Sequence, residues 1–305
     1  INKFRGDKTI LDPGLKQLYD KCRIPITGVI PYTKLDIDDE DSLSERLDRR
    51  PIGKGIDAAV IRFPHISNFT DFGMLEGCEG VSVRYVNTAE ELGKPDILFL
   101  PGSKNTMSDL LWIRQNGLEA GIQKAALEGC RIFGICGGYQ MLGQRLLDPD
   151  GCEHGGELAG LGLLPVTTTF GKRKHRTRVE GRVEPIEGIY QGMSGVSAEG
   201  YEIHMGETCL LETCGRFASV TDCVTGKQYP DGCVKGNVCG TYIHGILDAP
   251  GLLKGLLNPV FLEKGMTPGA YRDLAGYRQE QYDILADVIR AHMDMDAVRR
   301  IIGLK

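Results

Sequence analysis

Phe133-Gly134-Ile135-Cys136-Gly137-Gly138-Tyr139-Gln140 is the segment that most restricts how this chain can fold. A short apolar run, Arg131 to Ile135, precedes the cysteine, and a helix-like run, Tyr139 to Leu147, follows it. Strand, sharp turn and helix make a nucleophile elbow, here with Cys in place of Ser. A residue on such a turn sits in strained backbone, so its neighbours must be small, and glycines surround Cys136. The start of the following helix favours negative charge on the sulfur. Most cysteines are inert core residues. The glycine setting is what marks Cys136 as a catalytic candidate.

A partner for the thiol comes about a hundred residues later. Asn237 to His244 reads N-V-C-G-T-Y-I-H, a strand-like run that ends in a histidine and is followed by Gly245. A Cys at one strand end and a His at another are the minimum for thiol nucleophilic catalysis. Pro101-Gly102-Ser103-Lys104-Asn105-Thr106 also follows a strand and precedes a helix. Its spacing is wrong for a P-loop, which needs Gly-x-x-x-x-Gly-Lys-Ser/Thr. Beside an elbow, the backbone N–H groups of Gly102 and Ser103 can instead complete an oxyanion hole with that of Gly137.

The rest of the chain gives the setting. Ile56–Phe63, Val81–Val86 and Asp96–Leu100 read as buried strands, and Leu118, Ile122, Ala125 and Ala126 keep helical spacing up to a capping Gly129. Strands alternating with helices predict a parallel sheet covered on both faces. From about Gly151 to Tyr229 the helical period fades and β-hairpins are expected. Beyond Pro250 the chain reads as helical, with Leu285, Val288 and Ile289 on one face and Asp294 or Asp296 capping a last helix. Ile24–Ile30 reads as a short strand, Asp36–Asp41 as an acidic loop and Ser42–Arg50 as a polar helix or linker. Residues 1 to 50 are too few to bury a core of their own and look like the end of something larger.

The net charge of −5 implies no attraction to nucleic acid. No apolar run is long enough for a membrane span and no signal peptide is seen, so a cytoplasmic protein is expected. None of the ten cysteines forms a C-x-x-C pair, and reduced thiols without a metal site are expected.

The Pro-Gly-Ser loop, Gly-Ile-Cys-Gly-Gly-Tyr-Gln and Tyr-Ile-His-Gly together resemble class I glutamine amidotransferase domains. Ile1–Asp7, Ser67–Phe72, Leu100–Thr106, Gly200–Gly206 and Gly240–Asp248 are similar to the cobalamin-pathway type, most closely the cobyric acid synthase family. That resemblance implies an α/β fold: a flavodoxin-like parallel-sheet domain with β-hairpin insertions and a C-terminal helical extension. It implies residues 1–52 as the end of an ATP-dependent synthetase domain with a linker, 53–250 as the amidotransferase domain and 251–305 as the helical extension. It further implies that Cys136 and His244 hydrolyse glutamine, that Gly102, Ser103 and Gly137 hold the oxyanion, and that Tyr139, Gln140 and His204 support the substrate. The ammonia would go to a corrinoid carboxylate at the synthetase domain. ATP and Mg²⁺ would belong to that domain, since this chain has no P-loop, and no cofactor is expected in this chain.

Many class I amidotransferases carry Glu two residues after the histidine; here that position is Ile246, and Asp248 lies four residues on. The cobalamin-type enzymes also lack that Glu, so a backbone carbonyl or a carboxylate from elsewhere must orient the imidazole. His204, in an alternating strand run, reads either as a structural hydrogen-bonding residue or as substrate support. Lys172-Arg173-Lys174-His175-Arg176, with Arg178 and Arg182, reads as a solvated hairpin or as a docking surface for the synthetase domain or the corrinoid. Rival readings are cobyrinic acid a,c-diamide synthase, a glutaminase subunit that amidates peptidoglycan precursors, and a non-catalytic scaffold that kept the fold.

Overall fold

Unbroken apolar runs, rather than alternating ones, build the central sheet. Ala58–Ile61, Ile97–Leu100 and Arg131–Ile135 are buried at every position. Continuous burial requires cover on both faces, the condition of a parallel sheet in an α/β protein. The sheet runs Val81–Val86, Ile56–Ile61, Ile97–Leu100, Arg131–Ile135, Val238–Thr241, with Cys233–Lys235 as an antiparallel edge. In chain order its five parallel strands lie 2-1-3-4-5, the flavodoxin-like order.

The computed structural model describes residues 1–33, 35, 55–212, 214–271 and 274–303. The expected acidic loop Asp36–Asp41 and polar segment Ser42–Arg50 lie outside the described residues. Residues 39–272 form one compact unit, and residues 1–38 with 273–305 form another. The helical tail is divided between them. Helix Pro250–Glu263 belongs to the large unit, where it buries Leu252, Leu253, Leu256, Leu257, Val260 and Phe261. Helices Leu274–His292 and Met295–Ile301 belong to the small unit, and Asp294 caps the latter by accepting from the Ala297 N–H. The small unit also holds helix Lys8–Cys22. Ile24–Ile30 does not form the expected strand; Gly28 alone makes a bridge, to Met293. Pro25 within the run and Pro31 after it remove ladder donors, and the backbone partners of the run are divided between Ile1 and Phe4 on the one hand and Met293 and Asp294 on the other.

A second sheet grows from the segment expected to be hairpins. Its order is Gln228–Asp231, Ala218–Asp222, Val166–Val183, Arg145–Asp148, Gly156–Ala159, and Ser197–Leu210 pairs along Val166–Val183. One of its strands corrects an expectation. The run Tyr139–Leu147 is not one helix: the helix is Gly137–Leu142, Gly143 turns extended, and Arg145–Asp148 becomes a strand. Pairing of Arg145–Leu147 with Thr167–Thr169 outweighs the helical pattern of so short a run.

The elbow itself forms as the glycines require. Cys136 has φ 52° and ψ −107°, left-handed backbone that costs a non-glycine residue free energy. Its N–H donates to the Thr241 carbonyl at 2.8 Å, which holds the turn against the neighbouring strand. Gly138 then passes directly over Leu100, where a Cβ would run into the Leu100 carbonyl oxygen. Gly138→Ala is therefore expected to lower stability by about 1–3 kcal/mol, the usual cost of overpacking. A urea midpoint equal to that of the parent would show that the helix can shift away at no cost.

Candidate active site

Both candidate residues sit just beyond the carboxyl ends of adjacent parallel strands, where open α/β sheets place their sites. Thr241 pairs with Ile135, so Cys136 emerges one residue past one strand and His244 three residues past the other. The second sheet fixes the histidine backbone. The His244 N–H donates to the Tyr201 carbonyl at 2.8 Å, and the His244 carbonyl accepts from the Tyr201 N–H at 3.1 Å. The Tyr201 ring stacks on the imidazole at 5.3 Å and 24°. The Tyr201 hydroxyl in turn accepts from Asn68 Nδ2 at 2.6 Å.

The group that orients the imidazole is Asp71. Its Oδ2 lies 2.8 Å from His244 Nδ1, and its Oδ1 accepts from the Gly245 N–H at 2.7 Å. The two side chains are 1% and 2% exposed. Asp71 rides on the tight turn Phe69–Phe72, anchored by the buried Phe69 and Phe72 rings. A carboxylate only accepts, so Nδ1 carries the proton and Nε2 is left for Cys136. Asp248 is not in that position; it lies on the turn after Gly245, to which its N–H donates at 2.9 Å. Burial alone would discharge His244, but the charges of Asp71 and of the Cys136 thiolate outweigh it, and its pKa is pushed from 6.5 up to about 10. The sign follows: the proton on His244 stabilises the fold fully below about pH 6.5 and this contribution is lost as pH rises through about 10. Near neutral pH the site thus holds an imidazolium beside the sulfur.

The oxyanion candidates converge on the same point. Gly102–Ser103 pairs antiparallel with Ile66–Ser67, and the Lys104 N–H donates to the His65 carbonyl at 2.8 Å. A Cβ on Gly102 would lie 2.9 Å from His244 Cε1, and one on Gly137 would lie 2.9 Å from the Ser103 nitrogen. Ser103 Oγ is already committed, donating to Asp109 Oδ2 at 2.6 Å and accepting from the Asn105 N–H at 3.0 Å. What Ser103 can offer an oxyanion is its backbone. The Cys136 sulfur lies 3.6 Å from the Ile203 carbonyl oxygen. A thiol, an oriented imidazole and backbone donors in one place can carry acyl transfer through a thioester.

The three residues expected to support the substrate have their side chains engaged within the protein. Tyr139 and Gln140 are buried, and Gln140 accepts from Thr106 Oγ1 at 3.0 Å and donates to the Tyr242 hydroxyl at 3.1 Å. Tyr139 meets the Tyr242 ring edge-on at 5.3 Å. Both brace the elbow helix from within. His204 stacks on Tyr242 at 3.8 Å and lines a cavity of about 800 Å³ that neither Cys136 nor His244 lines. Asp71 is the functional residue that sequence reasoning missed. Its one signal was a carboxylate set between two aromatic residues, Phe69 and Phe72.

Comparison with known proteins agrees with this geometry. Residues 57–251 match the family described as CobB/CobQ-like glutamine amidotransferase domain. A cobyric acid synthase of Ruminiclostridium cellulolyticum is 50% identical over 307 residues, covering 99% of this chain and 60% of that protein. A cobyric acid synthase of Lachnoclostridium phytofermentans is 45% identical over 318 residues, covering 99% of this chain and 61% of that protein. The chain thus spans about three fifths of the length of these curated relatives. Among solved structures, PurLQS from Thermotoga maritima superposes with a TM-score of 0.53 at 20% identity, over 68% of this chain and 99% of that one, a likeness of fold.

Asp71→Asn tests the orienting carboxylate. The neutral amide removes the charge that most favours the imidazolium, and His244 should then titrate well below about 10 when followed by imidazole NMR. Glutamine hydrolysis should fall on the order of 10²-fold or more, as when the carboxylate of a catalytic triad is neutralised. An unchanged His244 titration would remove Asp71 from the site.

Proposed function

The chain belongs to the CobB/CobQ-like glutamine amidotransferase family, and from that membership we propose that it is the glutaminase part of a cobyric acid synthase. The observation that carries this reading is Cys136 on a left-handed elbow, with the Asp71-held imidazole of His244 at the end of the next strand. The Cys136 thiolate attacks the side-chain carbonyl carbon of glutamine. The N–H groups of Gly137 and of the Gly102–Ser103 loop receive the oxyanion. His244 gives its proton to the departing nitrogen, which leaves as ammonia, and a thioester remains. The now neutral imidazole takes a proton from water, whose oxygen displaces the thiolate and releases glutamate. Asp71 keeps the ring in the tautomer that presents Nε2 throughout.

In the same reading ammonia moves to an ATP- and Mg²⁺-dependent synthetase domain, of which residues 1–52 are the last part. There it amidates four peripheral carboxylates, turning adenosylcobyrinic acid a,c-diamide into adenosylcobyric acid. The two relatives named cobyric acid synthase, matched along 99% of this chain, support that assignment. We place the enzyme in the cytoplasm, with glutamine and the corrinoid as its partners and neither nucleic acid nor membrane among them. Among the described residues no helix is long and apolar enough to cross a membrane.

The deciding experiment uses the whole protein that carries this chain. Cys136→Ser should lower glutamine-dependent amidation at least about 10³-fold, since serine is a far weaker nucleophile without a strong base. Ammonia-dependent amidation should stay within about twofold of the parent, because the ligase site is separate. Equal loss with both nitrogen donors would overturn the assignment of Cys136.

A further inference from the structure

Glu202 is a buried carboxylate outside the cysteine site, and only half of it is used. Side chains two residues apart on a strand share a face, so Glu202 and His204 point the same way. His175 lies directly across from His204 in the antiparallel register and joins them. The Glu202 side chain is 2% exposed, and its Oε2 accepts from the Tyr229 hydroxyl at 2.9 Å. Oε2 lies 3.0 Å from His175 Nε2 and 3.8 Å from His204 Nε2. Glu202 Oε1 and His175 Nε2 are buried without a conventional hydrogen bond. One ligand atom from each of the three residues falls within 4.8 Å of the others.

We propose that His175, Glu202 and His204 bind a divalent transition-metal ion, zinc first among them. Two imidazoles and one carboxylate are a donor set that zinc accepts with a fourth position open. The supporting partners are those that metal ligands need. His204 Nδ1 lies 2.7 Å from the Gly206 carbonyl, so the proton sits on Nδ1 and Nε2 presents its lone pair. The Tyr229 hydroxyl steadies the carboxylate. All three side chains line the cavity of about 800 Å³, which gives the ion a route in and room for a fourth ligand. Arg173, Lys174, Arg176, Arg216 and Lys227 line the same cavity together with Glu207, Asp222 and Asp231, so both signs of charge surround the open position. The absence of a metal site expected from cysteine spacing does not bear on this cluster, which contains no cysteine. The proposal stands apart from the glutaminase reading, since neither Cys136 nor His244 takes part.

The test is titration of the chelator-treated, reduced protein with Zn²⁺ and with Co²⁺. One equivalent should bind with a micromolar or lower dissociation constant. The cobalt spectrum should show d–d bands without thiolate charge-transfer absorption, which separates this cluster from the ten cysteines. His175→Ala and Glu202→Gln should each weaken binding at least about tenfold. Metal-free melting temperatures check that the variants fold, and the half-exposed His175 keeps the test standing if the buried Glu202→Gln does not. No binding by the parent, unchanged affinity in a folded variant, or a thiolate band at one equivalent would each overturn the proposal.

Discussion

The contact on which the site depends is the buried pair between Asp71 and His244. It joins residues 173 positions apart at 2.8 Å, with both side chains almost wholly out of water. A carboxylate buried alone would be costly, and so would an imidazolium. Together, and with the Gly245 N–H on the second oxygen, each offsets the burial of the other. The pair does three things at once. It pins the tight turn after Ile66–Ser67, it selects the histidine tautomer, and it keeps the imidazole charged beside the sulfur.

The second sheet is part of this device as much as the first. Its long strand reaches the parallel sheet at Tyr201, exchanging two backbone hydrogen bonds with His244 and laying its ring on the imidazole. Two residues on, the Ile203 carbonyl comes to the Cys136 sulfur. The alternate side chains, Glu202 and His204, serve the neighbouring cavity. One short run of strand therefore faces two different chemistries, because successive side chains leave a strand on opposite sides.

Much of the fold was legible because its signals are local. Apolar runs at 58–61, 97–100 and 132–135, alternating with helical segments, declared a sheet covered on both faces, and glycines around Cys136 declared the elbow. The errors came where tertiary partners outweighed local pattern. Tyr139–Leu147 looked helical throughout, yet Arg145–Leu147 found a strand partner in Thr167–Thr169. The family resemblance implied substrate support by Tyr139 and Gln140, which follow the nucleophile in sequence. The helix turns them inward instead, onto Tyr242 and Thr106.

By itself, then, the sequence determined the parallel architecture, the strained cysteine and the histidine that follows a strand. Each of these is written in a few consecutive residues, through burial period, small neighbours and backbone strain. Only the tertiary structure decided that Asp71 rather than Asp248 serves His244, that Gly137 meets Ser103, and that His175 crosses to Glu202 and His204. These contacts bring together segments far apart in the chain. What creates them is close packing between elements, and no periodicity within a single element encodes it.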